Sequence, residues 1–200
     1  KAITYDNLRL RDGDFIDQVD DWFSKDAAKK FDAPELASNP VPPMFAPFQL
    51  RNMRLANRVV VAPMCQYCAE DGMPGEWHHV HLTSRAMGGA GLVFTEMTNV
   101  SEDGLITKGC AGMWNDQQRG AWQRVVDFVH RHSAAKIGMQ LAHAGRKGSC
   151  SLPWQGDAPL QNGGWPTLGP SAMPFQDGWP APRLMDRTDM DRVSAGFVAA

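Results

Sequence analysis

Three short apolar runs, "RVVVAPM" (58–64), "AGLVFTEMT" (90–98) and "AKIGMQLAH" (135–143), recur along the chain with helical stretches between them. Their starts, near 59, 91 and 136, space the units by about 30 to 45 residues, as sequential βα units require. Such alternation commits a chain to a parallel sheet, either doubly wound or closed as a barrel. The first run is continuously apolar and reads as a strand buried on both faces. No GxGxxG follows it, which counts against a dinucleotide-binding Rossmann unit.

The helical stretches have distinct qualities. "HLTSRAMGG" (81–89) suits a short helix closed by glycine. "NDQQRGAWQRVVDFVHRHSA" (115–134) is plainly amphipathic. Asn115 or Asp116 caps it, and Trp122, Val125, Val126 and Val129 form one stripe. "RTDMDRVSAGFVAA" (187–200) begins a further helix, capped by Thr188 or Asp189. A (β/α)8 barrel usually takes about 250 residues, and three units cannot close one. The expected fold is α/β: the N-terminal portion, about three βα units, of a (β/α)8 TIM barrel within a longer polypeptide.

The flanking segments suggest the domain organisation. Phe15, Ile16, Val19, Trp22 and Phe23 recur at helical spacing, so residues 14–30 read as an amphipathic helix. Residues 33–44 hold four prolines in twelve positions and read as a linker without regular structure. "FAPFQLRNMRLANR" (45–58) suits two extended pieces around Arg51-Asn52, a hairpin. Residues 145–187 are rich in proline, glycine and tryptophan without periodicity. A structureless loop of that length is uncommon unless functional. The expected division is 1–32 as the end of a preceding domain, 33–44 as linker, and 45–200 as barrel with the long loop 145–187.

Composition excludes several classes. A formal net charge of −2 gives no basic field for nucleic acid or an anionic membrane. No apolar run reaches the roughly 20 residues of a membrane span. Four cysteines, unevenly spaced, do not make a disulfide scaffold, so free thiols and a cytoplasmic setting are expected.

Function in parallel α/β folds collects where strands end. The first strand end offers Ala62, Pro63, Met64 and Cys65, with Tyr67 beyond. The second offers Glu96, Met97 and Thr98, and the third Gln140 with His143 and Arg146. No nucleophile–base pair is evident. A Gln amide, backbone groups and Met, Cys and Tyr side chains suit a flat heteroaromatic cofactor better than hydrolysis. A core role for Met64 and Cys65 is the bland alternative. A sharper one is zinc, because Cys65, Cys68, His78 and His81 are zinc-ligand types. Against it, Cys65 ends an apolar strand while Cys68 lies beyond it in a turn. A thioredoxin-like dithiol is disfavoured because "AEDGMPGE" after Cys68 cannot open a helix.

"NRVVVAPMCQY", "HHVHLTSRAMGGAGLVFTEMT", "GMWNDQQ" and "KIGMQLAHAGRKG" together resemble the old yellow enzyme family, in its thermophilic-like ene-reductase branch. The likeness runs in register over about residues 45–146, and the PSAMPF stretch (170–175) resembles the segment beyond. It implies FMN as cofactor, NADH or NADPH as electron donor, and an activated C=C as hydride acceptor. It also implies backbone contacts to the flavin from Ala62, Pro63, Met64, Cys65 and Met97, and a side-chain contact from Gln140. Cys65 and Tyr67 would act as catalytic residues, Cys65 beside the reactive edge and Tyr67 lining the substrate side. Met97 stands where that branch commonly has a smaller residue. His78, His81 and Arg85 also match, as structural positions. The family's substrate-orienting His pair, proton-donating Tyr and phosphate-binding loops would lie beyond residue 200.

"ITYDNLRLRDGDFIDQVDDWF" is similar to the end of the monooxygenase half of bifunctional aromatic acyl-CoA enzymes of the salicylyl-CoA 5-hydroxylase and 2-aminobenzoyl-CoA monooxygenase/reductase type. This implies FAD in a preceding domain and an acyl-CoA substrate. The remaining polypeptide, and a second copy in a homo-oligomer, would be the partners. A stand-alone ene-reductase and a zinc-stabilised binding module are the alternatives.

Overall fold

The computed structural model describes residues 4–200. Its centre follows from the apolar runs. Strands β3 (Val60–Val61), β4 (Leu92–Asn99) and β5 (Lys136–Ala142) form one sheet in that order, both pairs parallel. Each crossover carries a helix, as parallel neighbours require: α4 (Glu76–Met87) between β3 and β4, and α5 (Asp116–His132) between β4 and β5. Before the sheet lie α1 (Asp6–Arg9), α2 (Gly13–Phe31), α3 (Glu35–Ser38) and the hairpin β1 (Phe48–Leu50) and β2 (Met53–Leu55). After it come β6 (Leu168–Gly169), β7 (Arg183–Leu184) and α6 (Arg187–Ala199).

Helix α5 starts where its chemistry dictates. The Asn115 side chain accepts the Gln118 N–H at 2.9 Å, satisfying one of the free first-turn donors. His130, Arg131 and His132 occupy the last turn, where the helix dipole favours positive charge. Its apolar stripe of Trp122, Val125 and Val129 packs with Leu82 and Ala86 of α4 against Val93 of β4. Full burial of one such aliphatic side chain contributes about 1.5–3 kcal/mol. The Trp122 indole N–H donates to the Gly112 carbonyl at 3.0 Å, so this ring is buried without losing its hydrogen bond.

Several expectations need correction. The first run is not buried on both faces: only Val60 and Val61 pair with β4, while Val60 and Met64 are each 47% exposed and Ala62 is exposed too. Among the described residues no layer covers that face. The segment 33–44 is not devoid of structure, since α3 and a 3-10 turn at Pro43–Phe45 fall within or across it. Proline fits the first turn of a helix, where its missing N–H is not needed. Helix α6 is capped by Asp186 rather than Thr188 or Asp189; Asp186 accepts the Asp189 N–H at 2.8 Å, and Asp189 answers through the Asp186 N–H. The long loop contains two 3-10 turns and the β6–β7 bridge.

The N-terminal helix lies against the segments that follow it. The Val41 N–H donates to Ser24 Oγ at 3.0 Å. The Arg54 guanidinium lies 4.3 Å over the Phe31 ring, and Arg58 lies 4.9 Å over both Phe23 and Phe48. Trp22 and Phe15 remain exposed on the outer side of α2.

Candidate active site

The three strand ends meet. Met97 of β4 and Gln140 of β5 are direct register partners. The Cys65 thiol, beyond β3, lies beside the Met97 backbone and the Tyr67 side chain. Ala62 and Met64 are exposed along the same edge, Pro63 is half-buried, and Cys65, Tyr67 and Met97 are half-buried. Gln140 is exposed: its backbone N–H donates to Thr95 Oγ1 at 3.3 Å, but among the described residues no hydrogen bond holds its side-chain amide.

Electrostatics keep this edge protonated. Burial first, and then the Glu96 carboxylate, push the Cys65 thiol above its ordinary value. Burial, reinforced by Cys65 and Cys110, pushes the Tyr67 phenol up to about 12. Both groups therefore carry their protons at neutral pH and can donate hydrogen bonds. Tyr67 sits in the left-handed region at φ +54°, which an L residue adopts only when its surroundings hold it there.

Loops crowd the same end. Leu105, Ile106, Cys110 and Cys150 form a small core against which Tyr67, Met97, Trp114, Trp165 and Trp179 pack. Trp154 meets Tyr67 edge to face, with ring centroids 6.3 Å apart. The larger clefts open in and beside the tryptophan-rich loop. One, of about 600 Å³, is bounded by Arg146, Trp165, Trp179 and Arg183. Strand ends open on one side cannot enclose a cavity of their own.

His143 and Arg146 do not join the edge as donors. His143 Nδ1 accepts the Gly145 N–H, and Nε2 lies 3.8 Å from Asp103 Oδ1. Arg146 is exposed. His81 and Arg85 stay within α4, with Arg85 donating to the His81 carbonyl at 3.0 Å. Cys68 Sγ lies 3.9 Å from His78 Nε2, but no group of three or more metal-ligating side chains forms a cation site among the described residues. Two contributors escaped the reading of the sequence. Trp154 is one, hidden in an aperiodic loop. The pairing of Glu96 with His78 is the other; its signal was an acid inside an otherwise apolar strand.

A planar, largely apolar group with polar edges fits what is present. The edge combines exposed apolar side chains, protonated donors in Cys65 and Tyr67, and an unengaged amide in Gln140. Cofactor sites are concave and mostly apolar with a few convergent polar groups, and this edge has the composition of one wall of such a site.

Comparison with known proteins agrees. The profile of the NADH:flavin oxidoreductase / NADH oxidase family matches residues 43–200. The chain belongs to this family. It is 40% identical over 159 residues to an NADPH dehydrogenase of Listeria monocytogenes serotype 4a, covering 78% of this chain and 43% of that protein. To an NADH:flavin oxidoreductase of Gibberella zeae it is 39% identical over 163 residues, covering 78% and 39%. Among solved structures it resembles morphinone reductase, with a TM-score of 0.64, 28% identity, and 78% and 43% of the two chains covered. An old yellow enzyme from Pichia matches in fold, with a TM-score of 0.67 at 23% identity, over 78% of this chain and 41% of that one. The chain thus spans less than half the length of these relatives, and its fold is the N-terminal part of their TIM barrel.

Proposed function

We propose that the full protein is an FMN-dependent oxidoreductase that passes hydride from NADH or NADPH to an activated C=C. The observation that carries this reading is the convergence of Cys65, Met97 and Gln140 on one edge, in a chain of this family. When bound, the flavin supplies the hydride chemistry, and the protein supplies binding, orientation and electrostatics. Ala62, Pro63, Met64 and Met97 would hold the ring through backbone groups and apolar contact, and Gln140 through its amide. Cys65, kept as a thiol, would donate a hydrogen bond to the polar edge of the ring. Tyr67, kept as a phenol and backed by Trp154, would face the substrate and steady its polar group.

A nicotinamide donor is supported by relatives described as NADPH dehydrogenase and by morphinone reductase solved in complex with tetrahydroNAD. The finer reading is an aromatic or alicyclic acyl-CoA, or an enone, as hydride acceptor. Residues 1–32 would then close an FAD-bearing monooxygenase domain, 33–44 would link, and 45–200 would open the reductase barrel of a bifunctional enzyme. Its support is the likeness of the N-terminal stretch noted above.

The test uses the full-length polypeptide. It should purify yellow or become so with FMN, bleach anaerobically with NADH or NADPH, and regain colour on adding an enone or an unsaturated aromatic acyl-CoA. A colourless protein that takes up no FMN would refute the proposal. Reoxidation by enones alone would remove the acyl-CoA part.

A further inference from the structure

Strand β4 carries one extra residue where it meets β5. Between the pairs Phe94↔Gly138 and Met97↔Gln140, β4 advances three residues while β5 advances two. Such a bulge re-aims side chains and is common beside active sites. Hydroxyls fix it here: Thr95 Oγ1 and Thr98 Oγ1 both donate to the Glu96 carbonyl, at 3.0 and 2.8 Å. Met97 then packs with the loops at the mouth, and Glu96 is buried to 3% exposure beneath the segment after β3.

Both oxygens of the buried acid have close neighbours, but only Oε2 accepts a hydrogen bond among the described residues. Oε2 accepts the Gln66 N–H at 2.9 Å, and Oε1 lies 2.6 Å from His78 Nε2. The Gly75 N–H donates to His78 Nδ1 at 3.0 Å, which leaves Nε2 as the protonated nitrogen turned toward the acid. His78 is itself 2% exposed, its ring edge to face with Trp122. No lysine or arginine pairs with Glu96 among the described residues. Burying an acid without a cation is costly unless hydrogen bonds offset the lost hydration, and a group kept at such a cost points to a role.

The task is visible in the chain above it. Among the backbone N–H groups of residues 64–68, that of Gln66 alone is bonded to another segment. Gln66 stands between Cys65 and the left-handed Tyr67. We propose that Glu96, held in place by His78, is the positioning residue of this site: through the Gln66 N–H it sets where Cys65 and Tyr67 stand at the strand end. The inference deepens the flavin reading, but its central measurement needs no flavin.

The groups facing the Cys65 thiol are Glu96 and the Met97 backbone from β4, Tyr67 from its own segment, and Cys110 from the loop after β4. With Cys68→Ser as background, alkylation of Cys65 by iodoacetamide is followed against pH in the flavin-free full-length protein. Glu96→Gln keeps the shape but removes the charge, and only its amide oxygen can accept the Gln66 N–H. It should make Cys65 react about tenfold faster at pH 7.5, with the midpoint of the profile moved about one unit lower, a tenfold change in thiolate. Glu96→Asp keeps the charge and shortens the reach, so it should speed alkylation with little shift of the midpoint. His78→Gln, the second variant should Glu96→Gln fail to fold, keeps the charge but loosens its support, so it too should speed alkylation with little shift of the midpoint.

An acid acting on Cys65 through its charge alone would move the midpoint in Glu96→Gln but leave the alkylation rate in Glu96→Asp and His78→Gln unchanged. An unmoved profile in a folded Glu96→Gln protein, or an unchanged alkylation rate in Glu96→Asp and His78→Gln, would overturn the proposal. Failure of the protein to take up FMN would count against the flavin reading and leave this result standing. In the FMN-loaded protein the same substitution should alter the visible band of the bound flavin.

Discussion

The two sides of the β3–β4–β5 sheet are built on different principles. Toward the helices, Val93, Leu82, Trp122, Val125 and Val129 are all nearly or wholly buried, and each is held by its neighbours' shapes. Toward the mouth, Val60, Ala62, Met64 and Gln140 are exposed, and the segment 64–68 is tied by a few polar contacts, the Gln66 N–H to Glu96 and the Trp77 indole N–H to the Gln66 side chain. Apolar packing distributes its stabilisation over many atoms, whereas a tether concentrates it in one bond. Changes on the helix side should therefore read out as stability, and changes at the mouth as binding and reactivity. Glu96 breaks the division, being buried on the helix side while acting on the mouth.

The division is tested most strongly by Trp122→Ala. Emptying that site should cost about 3–5 kcal/mol, seen as a lower denaturation midpoint in urea. A loss under about 1 kcal/mol would mean that the helix layer is not the main source of stability. Gly109→Ala should come next and shows how the two sides touch. A Cβ there would stand 2.4 Å from the Tyr67 carbonyl, a backbone atom that cannot swing away. The expected cost is about 1–3 kcal/mol, together with displacement of Tyr67, read as altered quenching by Trp154. Unchanged stability would show that the Tyr67 segment yields freely, and the mouth would then be softer than its tethers imply.

The sequence revealed these two sides unequally. Helix α5, its Asn115 cap, strands β4 and β5 and the β1–β2 hairpin were legible, because periodicity and turn chemistry are local signals. The strand ends that converge were legible too, since parallel topology places consecutive strand ends at one end of the sheet. The bulge was not. An extra residue in a ladder depends on hydroxyl contacts between Thr95, Thr98 and a neighbouring strand, and nothing in "LVFTEMTN" marks them. The exposure of β3 was equally hidden: an unbroken apolar run cannot say which of its faces this chain covers. The α6 cap was missed by two or three residues because Asp186 and Asp189 form a reciprocal pair, and either reads as a cap in isolation.

Gln140→Ala sharpens the comparison from the mouth side. An exposed amide without a hydrogen-bond partner among the described residues should leave the stability within about 0.5 kcal/mol of the parent. If it meets the flavin, FMN affinity should fall about tenfold, equivalent to one hydrogen bond of about 1.4 kcal/mol, measured by fluorescence titration of the full-length protein. Unchanged affinity would move the cofactor away from β5. A large loss of stability would show that the mouth is held by more than tethers.

The smallest effect belongs to α6, where no residue is buried and polar contacts alone define the start of the helix. Asp189 is held to about 2, chiefly by the Arg183 guanidinium at 2.7 Å on both oxygens and then by the Asp186 N–H. The folded value lies below the unfolded one of about 3.9, so the contribution to stability is complete above pH about 4. It declines as pH falls through the folded value near 2, because protonation removes the charge that the guanidinium favours. Arg183→Ala should therefore melt slightly below the parent at neutral pH, and the gap should close between pH about 4 and 2. Because both partners meet solvent, added salt should narrow the gap at neutral pH as well. A gap that stays constant down to pH 2 would assign the effect of Arg183 to packing rather than charge, and α6 would then follow the rule of the helix layer.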